Sequence, residues 1–185
     1  MSDAPGAAGF LDTQSVTMAL GLVQGMHAAD LGCGSGYFTI AMAQAVGADG
    51  VVSAVDVQLE PLQSVKARAE ALGLGNVRDI RADLEVPGGT GIPDASQDLS
   101  LLANTLFQSK KKADMIREGV RILKPGGRLV IIDWKKGAGG FGPPDDLRTS
   151  EEEMRRIAED QGVKFERALD AGTFYYGQIF IRPQF

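Results

Sequence analysis

An α/β fold built on a mostly parallel sheet, doubly wound and covered on both faces, is what this chain predicts, and three observations carry the prediction. Short apolar runs alternate with helix-like stretches along most of the 185 residues, a pattern that buries strands between two helical layers. A glycine-rich loop, Gly32-Cys33-Gly34-Ser35-Gly36, joins the apolar run His27-Ala28-Ala29-Asp30-Leu31 to a helical stretch from Tyr37 to Val46. A second apolar run, Val51 to Val55, then ends on an acid, Asp56.

The elements follow in order. Asp12-Thr13 can cap a first helix reaching about Val23. After the second strand, Leu59 to Leu72 reads as a helix, with Leu59, Leu62, Val65, Ala69 and Leu72 at the spacing of one buried face. Gly73 and Gly75 end it, and Val77 to Arg81 forms the third strand. Gly88-Gly89-Thr90-Gly91 is a loop, and Leu99 to Ala103 is a fully buried fourth strand. Asp114 to Leu123 is a helix with Met115, Ile116, Val120 and Leu123 inward. Pro125-Gly126-Gly127 stops it, and Arg128 to Trp134 is the fifth strand. Ser150 and Glu153 make a capping box for a helix from Glu151 to Gln161. Lys164 to Leu169 and Phe174 to Ile181 are the last two strands. No repeat or linker divides the chain, so residues 12–185 read as one domain. Residues 1–11 read as a flexible tail without the basic start of a signal peptide.

Composition narrows the function classes. No run approaches the ~18 apolar residues of a membrane helix. One cysteine, Cys33, forbids an intrachain disulfide and fits a reducing, cytoplasmic setting. No spacing suggests a metal site. The net charge of −5 argues against a nucleic-acid partner, whose phosphates attract basic surfaces.

The loop carries the chemistry. Glycines turn sharply and let backbone approach a ligand, and an acid at a strand end can accept hydrogen bonds from a ribose diol. Dinucleotide sites read G-x-G-x-x-G with a pyrophosphate on the helix N-terminus. Here the spacing is G-x-G-x-G, Tyr37 takes the place of the third glycine, and Asp30 stands two residues before the first. A carboxylate there suits a cationic ligand better than a pyrophosphate. The same residues also suit a tight turn with no ligand and a solvent-facing strand end.

With these residues the chain resembles the class I S-adenosylmethionine-dependent methyltransferases. Asp30 to Gly36 matches the family's D/E-x-G-x-G-x-G motif, and Asp56 its acid at the end of strand two. Arg81-Ala82-Asp83 matches the segment that places an acid near the adenine. Leu123-Lys124-Pro125-Gly126-Gly127-Arg128-Leu129 matches the turn into strand five. The loop and the turn are most similar to the quinone-biosynthesis group. The resemblance runs from about residue 12 to the C-terminus. It implies a seven-stranded Rossmann-like, three-layer sandwich of order 3-2-1-4-5-7-6 with strand seven antiparallel.

The cofactor implied is S-adenosylmethionine, with a sulfonium, an ammonium and no phosphate. The cofactor-binding residues implied are Asp30, Gly32, Cys33, Gly34, Gly36, Asp56, Val57, Asp83, Leu84 and Asn104. Cys33 is a small filler there, and Arg81 and Glu85 offer Asp83 an alternative role in a local charged turn. Asn104 follows strand four, where the family places the residue nearest the transferred methyl. Phe107 suits either a cation–π contact with the sulfonium or core packing. The family's N/D-P-P-Y/F tetrapeptide is missing after strand four, which disfavours a nucleobase or glutamine amine as acceptor.

Other residues are ambiguous. His27 precedes strand one and lies at the wrong sheet edge for catalysis. Lys110-Lys111-Lys112 opposes a helix dipole, at roughly 0.3–1 kcal/mol each, and serves either an anionic partner or solvent. Residues 136–149, rich in glycine and proline, read as a lid over the acceptor or as a connector. Asp133, Tyr175 and Tyr176 are possible proton acceptors, and no catalytic base stands out. Methyl transfer to a small-molecule acceptor is the leading function. An RNA- or protein-modifying methyltransferase and a non-catalytic S-adenosylmethionine-binding protein are the alternatives. A nicotinamide oxidoreductase is disfavoured by the loop spacing.

Overall fold

The short apolar runs become strands because their side chains point alternately to two faces, and both faces are covered. The computed structural model describes residues 11–184, so nearly all of the expected tail lies outside the described residues. The strands are β1 (His27–Leu31), β2 (Val51–Asp56), β3 (Val77–Arg81), β4 (Gln97–Ala103), β5 (Leu123–Trp134), β6 (Lys164–Leu169) and β7 (Tyr175–Ile181). They form one sheet in the order β3-β2-β1-β4-β5-β7-β6. β7 runs antiparallel to both its neighbours, and every other pairing is parallel. The chain winds outward from β1 to β3, then returns to β4 on the other side of β1. The connections therefore diverge between β1 and β4, the switch point at which open sheets of this kind bind ligands.

The helices are α1 (Thr13–Ala19), α2 (Tyr37–Val46), α3 (Leu59–Ala71), α4 (Lys112–Ile122) and α5 (Glu151–Glu159). Ala28, Leu101, Val130, Ile132 and Ile179 pack with Val16 of α1, Leu20 just after it and Met42 of α2. Ala54 packs with Leu62 and Val65 of α3. Leu31, Leu102, Leu129, Ile131 and Phe180 pack with Ile116 of α4 and Met154 of α5. This is the expected three-layer sandwich.

Several boundaries differ from the sequence reading, each for a local reason. α1 stops at Ala19, because Gly21 at φ +69° turns the chain away. Asp12 does cap it, accepting from the Gln14 and Ser15 amides at 3.1 and 3.3 Å. Leu59 and Leu72, expected in the buried face of α3, are about half exposed. They stand at the first turn and just past the last one, while Leu62, Val65 and Ala69 hold the contact. β4 begins at Gln97, whose polar side chain hides the strand start from an apolar pattern. The Lys124-Pro125-Gly126-Gly127 stretch is an irregular part of β5 rather than a turn before it. Gln97 pairs with Leu123 and Leu99 with Arg128, so residues 124–127 bulge out of register. Gly126 donates to the Arg182 carbonyl and the Arg182 amide to the Gly127 carbonyl, both at 2.8 Å. The Ser150 cap forms, with its hydroxyl accepting from the Glu153 amide at 3.2 Å.

One ion cluster positions a cavity wall. No helix joins β3 to β4, and buried Glu118 of α4 holds that connection instead. Its carboxylate accepts from the Gly88 amide at 2.9 Å and the Thr90 hydroxyl at 2.6 Å. Arg121 pairs with it at 2.7 Å, and also donates to Ile92 O at 2.9 Å and to Asp94. Burial opposes the charge on Glu118, but the hydrogen bonds from Arg121, Thr90 and Gly88 outweigh it and hold its pKa at about 2.

Candidate cofactor and acceptor site

The loop after β1 is shaped by close approach. The Gly32 and Cys33 amides both donate to the Val55 carbonyl, at 2.8 and 2.9 Å, which ties the loop over the end of β2. Gly32 sits at φ +80°, and a Cβ there would lie 2.5 Å from Thr105 Oγ1. Gly36, at φ +77°, is the residue before α2, and a Cβ there would overlap the Val65 side chain. Only glycine meets both demands. Asp56 Oδ2 accepts from the Gly34 amide at 3.0 Å, and Oδ1 accepts from the Gln58 amide at 2.9 Å. Each oxygen retains a lone pair for a ligand.

A cavity of about 620 Å³ opens beside this loop at the carboxyl ends of β1, β2 and β4, within the range of small-molecule sites. Eight of the expected cofactor residues line it: Gly32, Cys33, Gly34, Asp56, Val57, Asp83, Leu84 and Asn104. Asp30 and Gly36 do not. Asp30 lies beneath the loop, 2% exposed, with its carboxylate accepting from the Thr39 hydroxyl at 2.6 Å. Gly36 is buried at the helix start. Asp83 faces the cavity while its Oδ1 accepts from the Glu85 amide at 2.9 Å. The alternative charged turn does not form, because Arg81 donates to the Val57 carbonyl and Glu85 bonds Ser109 and Lys111.

Asn104 is the most unusual backbone position in the cavity. It is a non-glycine residue at φ +54°, an uncommon conformation that asparagine tolerates better than most residues. Its amide donates to the Ile132 carbonyl at 2.8 Å, and its buried Oδ1 has no protein partner. Buried polar atoms are nearly always satisfied, so this oxygen suits a donor on a bound ligand.

Other expectations resolve differently. Phe107 is half-buried and does not line the cavity, so a contact with a sulfonium has no support. It lies on the short turn Leu106–Gln108, of which Leu106 is the buried residue. His27 is exposed at the amino edge, and its amide donates to Asp98. Lys111 pairs with Glu85 at 3.5 Å, and Lys112 donates to the Ser109 carbonyl at 2.6 Å. None of residues 136–149 lines this cavity. Arg148 clasps that segment instead, donating to Lys135 O and Pro143 O at 2.9 Å each and to Phe141 O. Its guanidinium lies 5.6 Å from the Trp134 ring centre. Tyr175 does line the cavity, as do Leu11, Thr13, Phe38 and Thr105, which sequence reasoning did not assign to a ligand.

Two buried acids give the protein a pH signature. Burial pushes Asp30 up to about 6, with the Thr39 hydroxyl opposing and the Asp56 charge adding. Burial also pushes Asp133 up to about 6, against the Trp134 amide and the Lys112 charge. Both ordinarily titrate near 3.8, so the folded state binds their protons more tightly than the unfolded one. Their stabilising contribution is complete below about pH 3.8 and disappears as pH rises through about 6. Asp30→Asn is therefore expected to gain thermal stability over the parent protein between pH 5 and pH 8. A difference in melting temperature that does not change with pH would contradict this.

The donor set fits one kind of cofactor. Asp56, Asp83 and Glu85 line the cavity, and no lysine, arginine or histidine does among the described residues. Three carboxylates in the lining, of which only Glu85 is paired, with Lys111, suit a ligand bearing a sulfonium and an ammonium, and repel a pyrophosphate. Fold and site together define the S-adenosylmethionine-dependent methyltransferase class, with S-adenosylmethionine as cofactor. The family model described as "Methyltransferase domain" matches residues 22–172, so the chain belongs to that family.

Relatives agree on the family and differ in acceptor. An arsenite methyltransferase of Aquipseudomonas alcaligenes is 35% identical over 120 residues, 63% of this chain and 35% of that protein. The ubiquinone/menaquinone biosynthesis C-methyltransferase UbiE of Azotobacter vinelandii is 33% identical over 118 residues, 63% of this chain and 45% of that protein. The matches thus span less than half the length of these curated relatives. The crystal structure of a SAM-dependent methyltransferase from Aquifex aeolicus superposes with a TM-score of 0.84 at 31% identity. It covers 97% of this chain and 94% of that one.

Proposed function

We propose that the protein transfers a methyl group from S-adenosylmethionine to a small organic acceptor, and that residues 12–185 act as one catalytic domain. The observation that carries this reading is the cavity at the β1/β4 switch point, with three carboxylates and no cationic residue among its described lining. Gly32 and Gly34 would bring backbone against the cofactor, Asp56 would accept from its ribose, and Asp83 would face its adenine, with Val57 and Leu84 packing beside it. Cys33 serves as a small wall residue. It is buried, and burial together with Asp30 and Asp56 pushes its thiol up, so it is no nucleophile. Bound there, the cofactor supplies an already activated methyl group. The residues of this chain then contribute alignment, which is worth on the order of 7–11 kcal/mol of barrier when geometry is held. Asn104 is placed to orient the acceptor or the donor through its free Oδ1.

The choice among acceptors rests on the chemistry present. Arsenic(III) is a soft centre that favours several thiolate ligands, and this chain holds one cysteine, buried in the glycine loop. Arsenite is therefore a poor fit. The net charge of −5 weighs against nucleic acid. No described helix is long and apolar enough to cross a membrane, and a reducing, cytoplasmic setting accords with the free thiol. The test is accumulation of S-adenosylhomocysteine, followed by mass spectrometry, across panels of small organic acceptors, RNA and protein. Turnover with a small molecule is expected. Tight cofactor binding with no turnover on any panel would favour a sensor or scaffold instead.

A further inference from the structure

The cavity is longer than its cofactor-like half. Its carboxylates stand on the β2 and β3 side, at Asp56, Asp83 and Glu85. On the opposite side the lining passes to Leu11, Phe38, Ala103, Asn104 and Tyr175. β7 lies three strands from β1 in the sheet, about 14 Å at ordinary strand spacing. Tyr175 is the aromatic residue that marks this end. It is 6% exposed, and its ring packs tilted at 42° against Trp134, with 4.3 Å between centres. Trp134 in turn lies against the Arg148 guanidinium. The buried tyrosine is thus held against a second ring, itself beside a cation, with little freedom to turn aside.

The charge pattern adds a second constraint. The lining holds three carboxylates at its far end and no cationic side chain among the described residues, so the field of the cavity disfavours an anionic acceptor. The nearby lysine run gives little help, because Lys111 is paired with Glu85 and Lys112 is bonded to the Ser109 carbonyl. Within the methyltransferase reading, we infer that Tyr175, Phe38 and Leu11 form the acceptor subsite, and that it takes an uncharged, planar ring-bearing molecule. Apolar and aromatic lining supplies affinity through burial and ring contacts, and Asn104 Oδ1 supplies one polar anchor. Tyr175 is the specificity-determining residue.

Binding tests this without knowledge of the true acceptor. The protein is first loaded with S-adenosylhomocysteine, followed by calorimetry. Indole and catechol, as uncharged rings, are then compared with benzoate, a ring of similar size carrying a charge, and with cyclohexanol, which is not planar. Ligand-observed NMR titration is expected to show indole and catechol binding at least tenfold more tightly than benzoate or cyclohexanol. Tyr175→Leu keeps apolar bulk but removes the ring, and should weaken indole and catechol about fivefold or more with S-adenosylhomocysteine affinity unchanged. Tyr175→Phe should retain the preference for rings. Benzoate binding as well as indole, no ring probe binding at millimolar concentration, or equal ring binding by Tyr175→Leu would each overturn the inference. Failure of S-adenosylhomocysteine itself to bind would instead strike at the methyltransferase reading.

Discussion

Gly36→Ala is expected to destabilise the protein by about 2–5 kcal/mol. Two costs add. The residue sits at φ +77°, where an L side chain costs roughly 1–2 kcal/mol. Its new Cβ would also overlap Val65, a fully buried residue of α3, and overpacking of this kind costs roughly 1–3 kcal/mol. Relief would require α2 and α3 to separate, which would disturb the loop that both helices support. Gly36 therefore acts through the shape of the loop rather than by facing the cavity. The companion substitution Val65→Ala in the Gly36→Ala background should restore part of the loss, because it removes the colliding atoms. Denaturant unfolding of the single and double variants measures both effects. A single variant within about 0.5 kcal/mol of the parent would show that the helices yield easily at this contact.

Asp56→Ala is expected to weaken S-adenosylhomocysteine binding by about 1.5–3 kcal/mol, roughly 10- to 150-fold, the scale of a hydrogen bond to a charged group. The side chain is only partly buried, so the fold should survive its loss. Part of the effect arises before any ligand arrives, because Asp56 holds the Gly34 amide at 3.0 Å. Asp56→Asn separates the two roles. An asparagine oxygen can still accept from Gly34 but has lost the charge, so its affinity should fall between the other two proteins. Equal affinity for all three would remove Asp56 from the cofactor site.

These expectations rest on features that differ in how readily the sequence reveals them. β1, β2, β3 and α2 were legible to the residue, because local apolar patterns and loop glycines determine where such elements start and stop. The strand order followed from motif order, through the resemblance to known methyltransferases. The contact behind Gly32 was not legible: nothing near Thr105 signals that its hydroxyl would sit against a glycine so distant in sequence. Periodicity placed Leu59 and Leu72 with the buried face of α3, but it does not tell where a helix overhangs the sheet. The bulge at residues 124–127 depends on the backbone of Arg182, which local reading cannot supply. In the same way Tyr175, Leu11 and Thr13 reach the cavity only because the sheet brings β7 and the start of α1 to the same edge. Sequence named candidate residues past each of the first four strands, Asp83, Leu84 and Asn104 among them, and Tyr175 as a possible proton acceptor. The part of the wall made by Leu11, Thr13, Phe38 and Thr105 comes from distant segments and appears only in three dimensions.

The most direct measurement is calorimetric titration of the intact protein and of Asp56→Ala with S-adenosylmethionine, S-adenosylhomocysteine and NAD. One site of about micromolar affinity for the first two, no heat from NAD, and a loss of at least about tenfold in the variant is the expected result. NAD binding as tightly as S-adenosylmethionine, or no binding of S-adenosylmethionine to a folded protein, would contradict the assignment of the cavity.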